Sequence, residues 1–172
     1  MVRAMAARDV EWAALVMDQR RQAYARYSPV FWRPAQDARG LHARFLARQV
    51  AAPRSIALCT DDGFLIAELR GPEVLVDDFA VTGDDRWPAD GAALLASACG
   101  QAATAGARTA RVVTAAADAP KVALLVSAGQ APVSRWWVTP VTPVTPAGPA
   151  RPRRPGAGHR VRRPPRPGTA GV

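Results

Sequence analysis

The hydrophobic pattern of this chain changes its period near Pro53, and the change restricts the folds that the chain can form. Before Pro53, apolar residues recur every three or four positions, a spacing typical of amphipathic helices. It predicts helices from Arg8 to Tyr27 and from an N-cap at Asp37 to about Val50. After Pro53, short apolar runs alternate with turn residues, which indicates strands. A chain with both patterns is expected to pack helices against a sheet.

The segments after Pro53 form a meander and then alternate between helix and strand. In chain order they are predicted as strands at 55–60, 64–69 and 73–81, a helix at 90–105, a strand at 111–114, a helix at 120–128 and a strand at 133–138. With a short first strand at residues 2–5, the element order is β-α-α-β-β-β-α-β-α-β. This order predicts an α/β fold with a mixed sheet in three layers.

Residues 139–172 have a different composition from the rest of the chain. They contain nine prolines, five glycines, seven arginines and no acidic residue, and their largest apolar side chain is valine. Such a segment cannot bury enough surface to offset the entropy of ordering it. We therefore predict one domain over residues 1–138 and a disordered tail over 139–172. The tail carries +7 of the formal net charge of +9, which leaves the body at about +2.

This charge distribution limits the partners that the sequence suggests. Nucleic-acid binding is not expected of the nearly neutral body, whereas the basic tail could recruit nucleic acid, an acidic surface or a proline-reading domain. A dispensable extension is the alternative. A homodimer is compatible with the sequence.

Cys59 and Cys99 fall in a predicted strand and a predicted helix, so we expect reduced thiols. Charged residues interrupt the N-terminal apolar stretch, and the most apolar segment, 91–107, is rich in alanine and contains Gln101. We therefore expect a cytoplasmic protein without a membrane partner.

One strand-loop-helix segment carries the clearest chemical signal. The strand ends at Val81, and a short loop leads to Arg86, Ala89 and Gly91 at the start of the next helix. Small residues let a bulky anion approach the backbone, and a helix N-terminus offers unpaired N–H groups to a phosphate. The segment therefore predicts an anion site at this helix.

These residues resemble the acetyl-CoA signature of the GCN5-related N-acetyltransferases, whose loop reads Gln/Arg-x-x-Gly-x-Gly/Ala. Further along, Asp118, Lys121, Leu125 and Gly129 have the spacing of the family's next helix, Asn-x-x-Ala-x-x-x-Tyr-x-x-x-Gly. The resemblance covers essentially residues 2–138 in the same order.

The resemblance implies acetyl transfer from acetyl-CoA to a primary amine of a small molecule or a protein, by direct attack on the thioester and without a metal. The N–H groups of Phe79 and Val81 would then hold the thioester carbonyl. The cofactor-binding residues implied in this way are Phe79, Ala80, Val81, Arg86, Trp87, Ala89, Asp90, Gly91, Ala92, Asp118 and Lys121.

The amine that accepts the acetyl group must first lose a proton, and a nearby carboxylate can accept that proton. The candidates are Asp78, Glu68 and Asp77, and the strand alternation allows at most one of the two aspartates to face a cleft. Ordinary carboxylates that pair with arginine or water are the alternative. Aromatic residues could shape an acceptor pocket, although packing explains them equally well; they are Trp12, Tyr24, Tyr27, Phe31, Trp32, Trp136 and Trp137.

Several residues depart from the family pattern. Leu125 stands where a tyrosine often protonates the leaving thiolate, and Asp118 stands where an asparagine contacts the cofactor. Pro88 removes an N–H donor from the loop, which also contains three aspartates. Two hypotheses follow: an active N-acetyltransferase, or a non-catalytic binding module with a degenerate CoA site. The sequence has two histidines, and His42 lies on a helix without a predicted role, so we do not predict a metal site.

Overall fold

The computed structural model describes residues 1–33 and 35–134 of the chain. Its helices and strands are β1 (Arg3–Ala4), α1 (Val10–Tyr27), α2 (Ala38–Ala51), β2 (Ser55–Cys59), β3 (Gly63–Arg70), β4 (Glu73–Val81), α3 (Ala92–Thr104), β5 (Thr109–Val112) and α4 (Ala119–Ser127). This order confirms the predicted one through α4. The predicted last strand is wrong at Val133 and Ser134, which are in no strand, and residues 135–138 lie outside the described residues.

The strands form one mixed sheet in the order β1-β2-β3-β4-β5. The first four are antiparallel to their neighbours, and β5 runs parallel to β4. Two buried clusters lie on the two faces of this sheet. One packs α3 and α4 against side chains such as Leu65 and Phe79, and the other packs α1 and α2 against Phe64 and Ile66. The predicted three-layer α/β fold is confirmed.

A β-bulge in β4 determines which side chains face the α1–α2 layer. Ala67 pairs with Val76 and Ile66 pairs with Asp78, so Asp77 is the extra residue. Because of it, the alternation shifts by one position, and Asp78 leaves the face occupied by Val76. Asp77 is exposed and Asp78 is buried, yet both line the cavity described below, so the expectation that at most one of them faces a cleft is wrong.

The pairing of β4 with β5 ends just before this bulge, at Val76 and Val112. The predicted strand at 111–114 is therefore displaced to Thr109–Val112, since β5 has no partner beyond the bulge. A gap between the two strands begins here. It is the feature of the fold that positions the site described below.

The segment between β4 and α3 is more wound than predicted. A 3₁₀ turn at Asp84–Arg86 and a π turn at Trp87–Gly91 precede α3, which starts at Ala92 rather than at residue 90. Asp37 precedes α2 as predicted, but its carboxylate forms no cap bond and pairs with Arg44.

Cys59 and Cys99 are free thiols. Within the described residues, every helix is too short or too polar to cross a lipid bilayer.

Candidate active site

A cavity of about 250 Å³ lies beside the gap between β4 and β5. Side chains from α1, α2, β4 and α4 meet there, together with residues just beyond α1 and β5. The lining residues are Arg21, Tyr24, Trp32, His42, Phe45, Asp77, Asp78, Val113 and Lys121. The cavity therefore combines aromatic walls with two carboxylates, a histidine and an amine.

Asp78 is the buried carboxylate of this cavity, with 4% of its surface exposed. Its Oδ1 lies 3.6 Å from Arg21 Nη2, and its Oδ2 lies 3.6 Å from His42 Nε2. Burial raises the pKa of the Asp78 carboxyl to about 6, although the Arg21 cation acts in the opposite direction. A carboxylate with such a pKa can accept a proton near neutral pH and return it.

His42 is held in one tautomer by Arg21. Arg21 Nη2 lies 3.0 Å from His42 Nδ1, and because an arginine can only donate, Nδ1 must accept. Burial lowers the pKa of His42 to about 3, so the neutral ring carries its proton on Nε2 and directs it toward Asp78. Nε2 is buried without a hydrogen-bond partner in the described residues, which leaves this donor for a water or a ligand in the cavity.

No role was predicted for His42 from the sequence. Residue spacing on one helix carries no information about a strand that lies opposite. The only available signal was that His42 is the single histidine outside the tail.

Lys121 extends across the gap between the two strands. Its Nζ donates to the main-chain carbonyls of Phe79 on β4 and of Val113 just after β5, both at 3.1 Å. The side chain is 1% exposed, and Nζ lies over the rings of Phe79 and Trp87, 5.1 and 5.7 Å from their centroids. Burial lowers the pKa of this amine. Lys121 was predicted to bind the cofactor; the structure places its amine between β4 and the residue that follows β5.

The main-chain groups of β4 beyond the bulge follow the alternation of an antiparallel ladder. Thr82 donates its N–H to the Asp62 carbonyl at 2.8 Å, which marks a hydrogen-bonded pair. Every second residue, including Ala80, is then directed toward β3, and the groups of Phe79 and Val81 point to the other edge. These two residues therefore present their N–H groups to the gap.

Asp118 is fully buried at the centre of a polar network. Its Oδ2 accepts from Arg20 Nε at 3.0 Å and from the Tyr24 hydroxyl at 2.9 Å, and a second Arg20 nitrogen contacts Oδ1. Arg20 also donates to Asp84 Oδ1 at 2.7 Å, while Asp118 caps α4 by accepting from the Lys121 N–H. Both oxygens of Asp118 are thus engaged within the protein. Asp118 therefore has no free acceptor atom for the cofactor that it was predicted to contact.

The loop before α3 carries one exposed cation among several carboxylates. Arg86 is half-exposed and lies 3.5 Å from Asp62 and 3.7 Å from Asp85. Ala89 is exposed and Asp90 is half-buried. An incoming pyrophosphate would have to displace these carboxylates from Arg86, so the loop is a weaker anion site than its spacing suggests.

Trp87 and Gly91 belong to the core below this loop. Trp87 is 1% exposed and packs edge-to-face on Phe79, with ring centroids 4.9 Å apart. A Cβ on Gly91 would lie 2.7 Å from Trp87 Cε3 and 3.0 Å from Leu124 Cδ2. Ala92 is half-buried beside the same cluster. The small side chains of this segment are therefore explained by packing alone.

The remaining predicted residues lie elsewhere. Glu68 is half-buried, pairs with Arg70 and does not line the cavity. Of the predicted aromatic residues, Tyr24 and Trp32 border the cavity, whereas Trp12 packs on Phe64. Trp136 and Trp137 lie outside the described residues, and among the described ones no cluster of side chains could hold a metal ion.

Comparison with known proteins assigns the fold. No protein-family profile matches the chain, and no curated protein matches its sequence. Among solved structures, the chain is similar to a mutant of the BH1408 protein from Bacillus halodurans, with a TM-score of 0.73, 14% identity, and coverage of 83% of this chain and 99% of the other.

Two further structures support the same assignment. An aminoglycoside acetyltransferase from an uncultured soil metagenomic sample has a TM-score of 0.56 at 21% identity, covering 83% of this chain and 98% of the other. The PaiA N-acetyltransferase from Thermoplasma acidophilum, solved in complex with coenzyme A, has a TM-score of 0.57 at 12% identity, covering 74% and 87%. The chain has the fold of the GCN5-related N-acetyltransferases, at low sequence identity to these structures.

Proposed function

We propose that this protein is an acetyl-CoA-dependent N-acetyltransferase that acts on a primary amine, with Asp78 as the group that accepts the proton of the amine. The proposal depends on one observation above all. A buried carboxylate with a raised pKa lies in a cavity beside the separated ends of β4 and β5, on a fold that structural neighbours described as acetyltransferases share.

The geometry supports a separate role for each residue of the cavity. The N–H groups of Phe79 and Val81 point to the gap, where they would stabilise negative charge on the thioester oxygen. Asp78 would take the proton from the attacking amine, and His42 would orient the amine or a bridging water through Nε2. Arg21 holds both side chains in place. In this division the thiolate leaves without a tyrosine at position 125; a thiol pKa of about 8.5 makes it a tolerable leaving group.

The residues fit the two ends of acetyl-CoA unequally. The thioester end meets main-chain donors and a cavity of suitable chemistry. The pyrophosphate end meets Arg86, but also Asp84, Asp85 and Asp90, and Pro88 offers no N–H. We therefore expect weak cofactor affinity that depends on Arg86.

A steady-state assay tests the proposed base. Asp78→Asn should lower kcat/KM for a panel of primary amines, aminoglycosides included, by about 10²–10³-fold, because removing a general base costs this much. In the unmodified protein, kcat/KM should decrease when the pH is lowered through about 6, because Asp78 then becomes protonated. Glu11→Gln, an exposed carboxylate on α1, is the matched control and should have no effect. A loss in Glu68→Gln as large as that in Asp78→Asn would contradict the assignment.

A second candidate function is favoured by Lys121. Its amine donates a hydrogen bond to the Phe79 carbonyl, on the edge of β4 that faces the gap. Leu125, which has no hydroxyl group, is buried in the core. Such a site suits a binding module that has lost acetyl transfer. Calorimetric titration with acetyl-CoA separates the two candidates. Micromolar binding that Arg86→Glu abolishes supports the transferase, and absence of binding at millimolar acetyl-CoA supports the binding module.

A further inference from the structure

The chain contains a single lysine, Lys121; every other lysine-or-arginine position is an arginine. Arginine cannot act as an amine nucleophile because its guanidinium stays protonated. The one side-chain amine of the protein is therefore the one that lies in the gap between β4 and β5, on the wall of the cavity that contains Asp78.

The surroundings of Lys121 offer little to balance a charged ammonium group. Nζ donates to the main-chain carbonyls of Phe79 and Val113 and also interacts with the Tyr24 hydroxyl. Within the part of the chain that the structure describes, no carboxylate forms an ion pair with Nζ. The aromatic rings of Phe79 and Trp87 complete its surroundings. Burial lowers the pKa of the amine in the same direction.

We infer that Lys121 is a self-acylation site: its Nζ attacks an acyl thioester bound in the gap and becomes an amide. The N–C bond forms and the C–S bond breaks. The thiol leaves with the proton that the amine loses, passed on through Asp78. This inference rests on the proposed function only for the identity of the natural donor, acetyl-CoA. The amide retains a single N–H, so it can donate to only one of the two carbonyls. Acylation would therefore remove one of the two hydrogen bonds by which Lys121 connects the two sides of the gap.

The experiment uses the full chain and two acyl donors. One is acetyl-CoA, and the other is S-acetyl-N-acetylcysteamine, a short thioester that does not depend on the loop around Arg86. Intact mass and peptide mapping should show one acetyl group on Lys121 with either donor, and none at this position in Lys121→Arg. The arginine keeps N–H donors at this position but is not a nucleophile.

A second variant controls for non-selective chemistry. Arg26→Lys introduces an exposed amine on α1, whose pKa of about 10.4 keeps it protonated at neutral pH. Under equal conditions position 26 should be acetylated at least ~10-fold more slowly than Lys121. Equal labelling of the two positions, or no labelling of Lys121 by either donor, would overturn the inference.

The two donors also separate this inference from the proposed function. Turnover of acetyl-CoA with added amines while Lys121 stays unmodified by both donors would leave the transferase standing and remove the self-acylation site. Labelling by the short thioester, without binding or turnover of acetyl-CoA, would support the reactive lysine and remove the proposed cofactor.

Discussion

At the scale of single residues, a residue type can be explained by packing or by chemistry, and the contacts of the residue show which explanation applies. Gly91 matches a cofactor signature, yet its missing side chain makes room for Trp87 and Leu124. Asp78 has the opposite character, since nothing in the packing requires a carboxylate there. A buried carboxylate costs stability even beside Arg21, since burial raises its pKa, so its presence is best explained by function.

Gly91→Ala should destabilise the protein by about 1–3 kcal/mol, because the added methyl group would overpack a rigid indole. Gly100→Ala is the matched control in α3. A Cβ there meets nothing within 4 Å, so the substitution should stabilise by about 0.5–1 kcal/mol through helix propensity. Urea unfolding of the three proteins measures both changes. Equal stability of the two variants would contradict the packing explanation.

Asp78→Asn should make the protein more stable at high pH while removing its proposed activity. The folded-state pKa is about 6 and the reference value is 3.8, so the raised pKa favours folding only while the carboxyl is protonated. This contribution is complete below about pH 4 and is lost as the pH rises through about 6. The variant should therefore gain about 1–3 kcal/mol over the original protein between about pH 4 and pH 8. Chemical unfolding at both pH values measures the gain, and a constant difference would contradict it.

At the scale of elements, one arginine joins three parts of the chain. Arg20 on α1 contacts Asp118 at the start of α4 and Asp84 in the loop before α3. It thereby connects the helix layer on one face of the sheet to the gap beside β4. We expect the loop and α4 to depend on α1 for their positions.

Arg20→Leu should cost about 3–5 kcal/mol, because it leaves Asp118 buried and charged without its partner. Replacing both residues by leucine should recover part of this loss, since the double variant buries no unpaired charge. Arg44→Leu breaks an exposed pair with Asp37 and should change stability by at most about 1 kcal/mol. Thermal unfolding compares the variants. A loss in Arg44→Leu as large as that in Arg20→Leu would contradict the network's importance.

At the scale of the whole molecule, the basic charge and the fold belong to different parts of the sequence. The predicted boundary near residue 138 follows from composition, and residues 139–172 lie outside the described residues. Within residues 1–33 and 35–134, both buried clusters are formed by residues before position 126.

Removal of residues 139–172 should leave the melting temperature unchanged, because this segment has no side chain large enough to add a core. Truncation after residue 118 is the control. It removes α4 with Lys121, Leu124 and Leu125, all buried, and should unfold the protein. Differential scanning calorimetry measures both. If removal of residues 139–172 lowers the melting temperature by several degrees, the segment packs on the domain and the boundary is misplaced.

The order of helices and strands through α4 and the three layers could be predicted from the sequence. Each depends on a local pattern, such as the period of apolar residues or the position of small residues, and local patterns are present in the chain before it folds. The same reasoning identified Asp78 as a candidate base, because the residue lies on the strand next to the predicted loop.

The bulge at Asp77, the tautomer of His42 and the position of Lys121 were decided only by the tertiary structure. The bulge arises from the register of β4 against β3, and a one-residue shift in register moves a side chain to the other face of the sheet. His42 and Asp78, and Lys121 and Phe79, are far apart in the sequence and meet only when the layers pack. Long-range contacts of this kind determine pKa values and nucleophilicity, so the chemistry of the site follows from packing rather than from residue spacing.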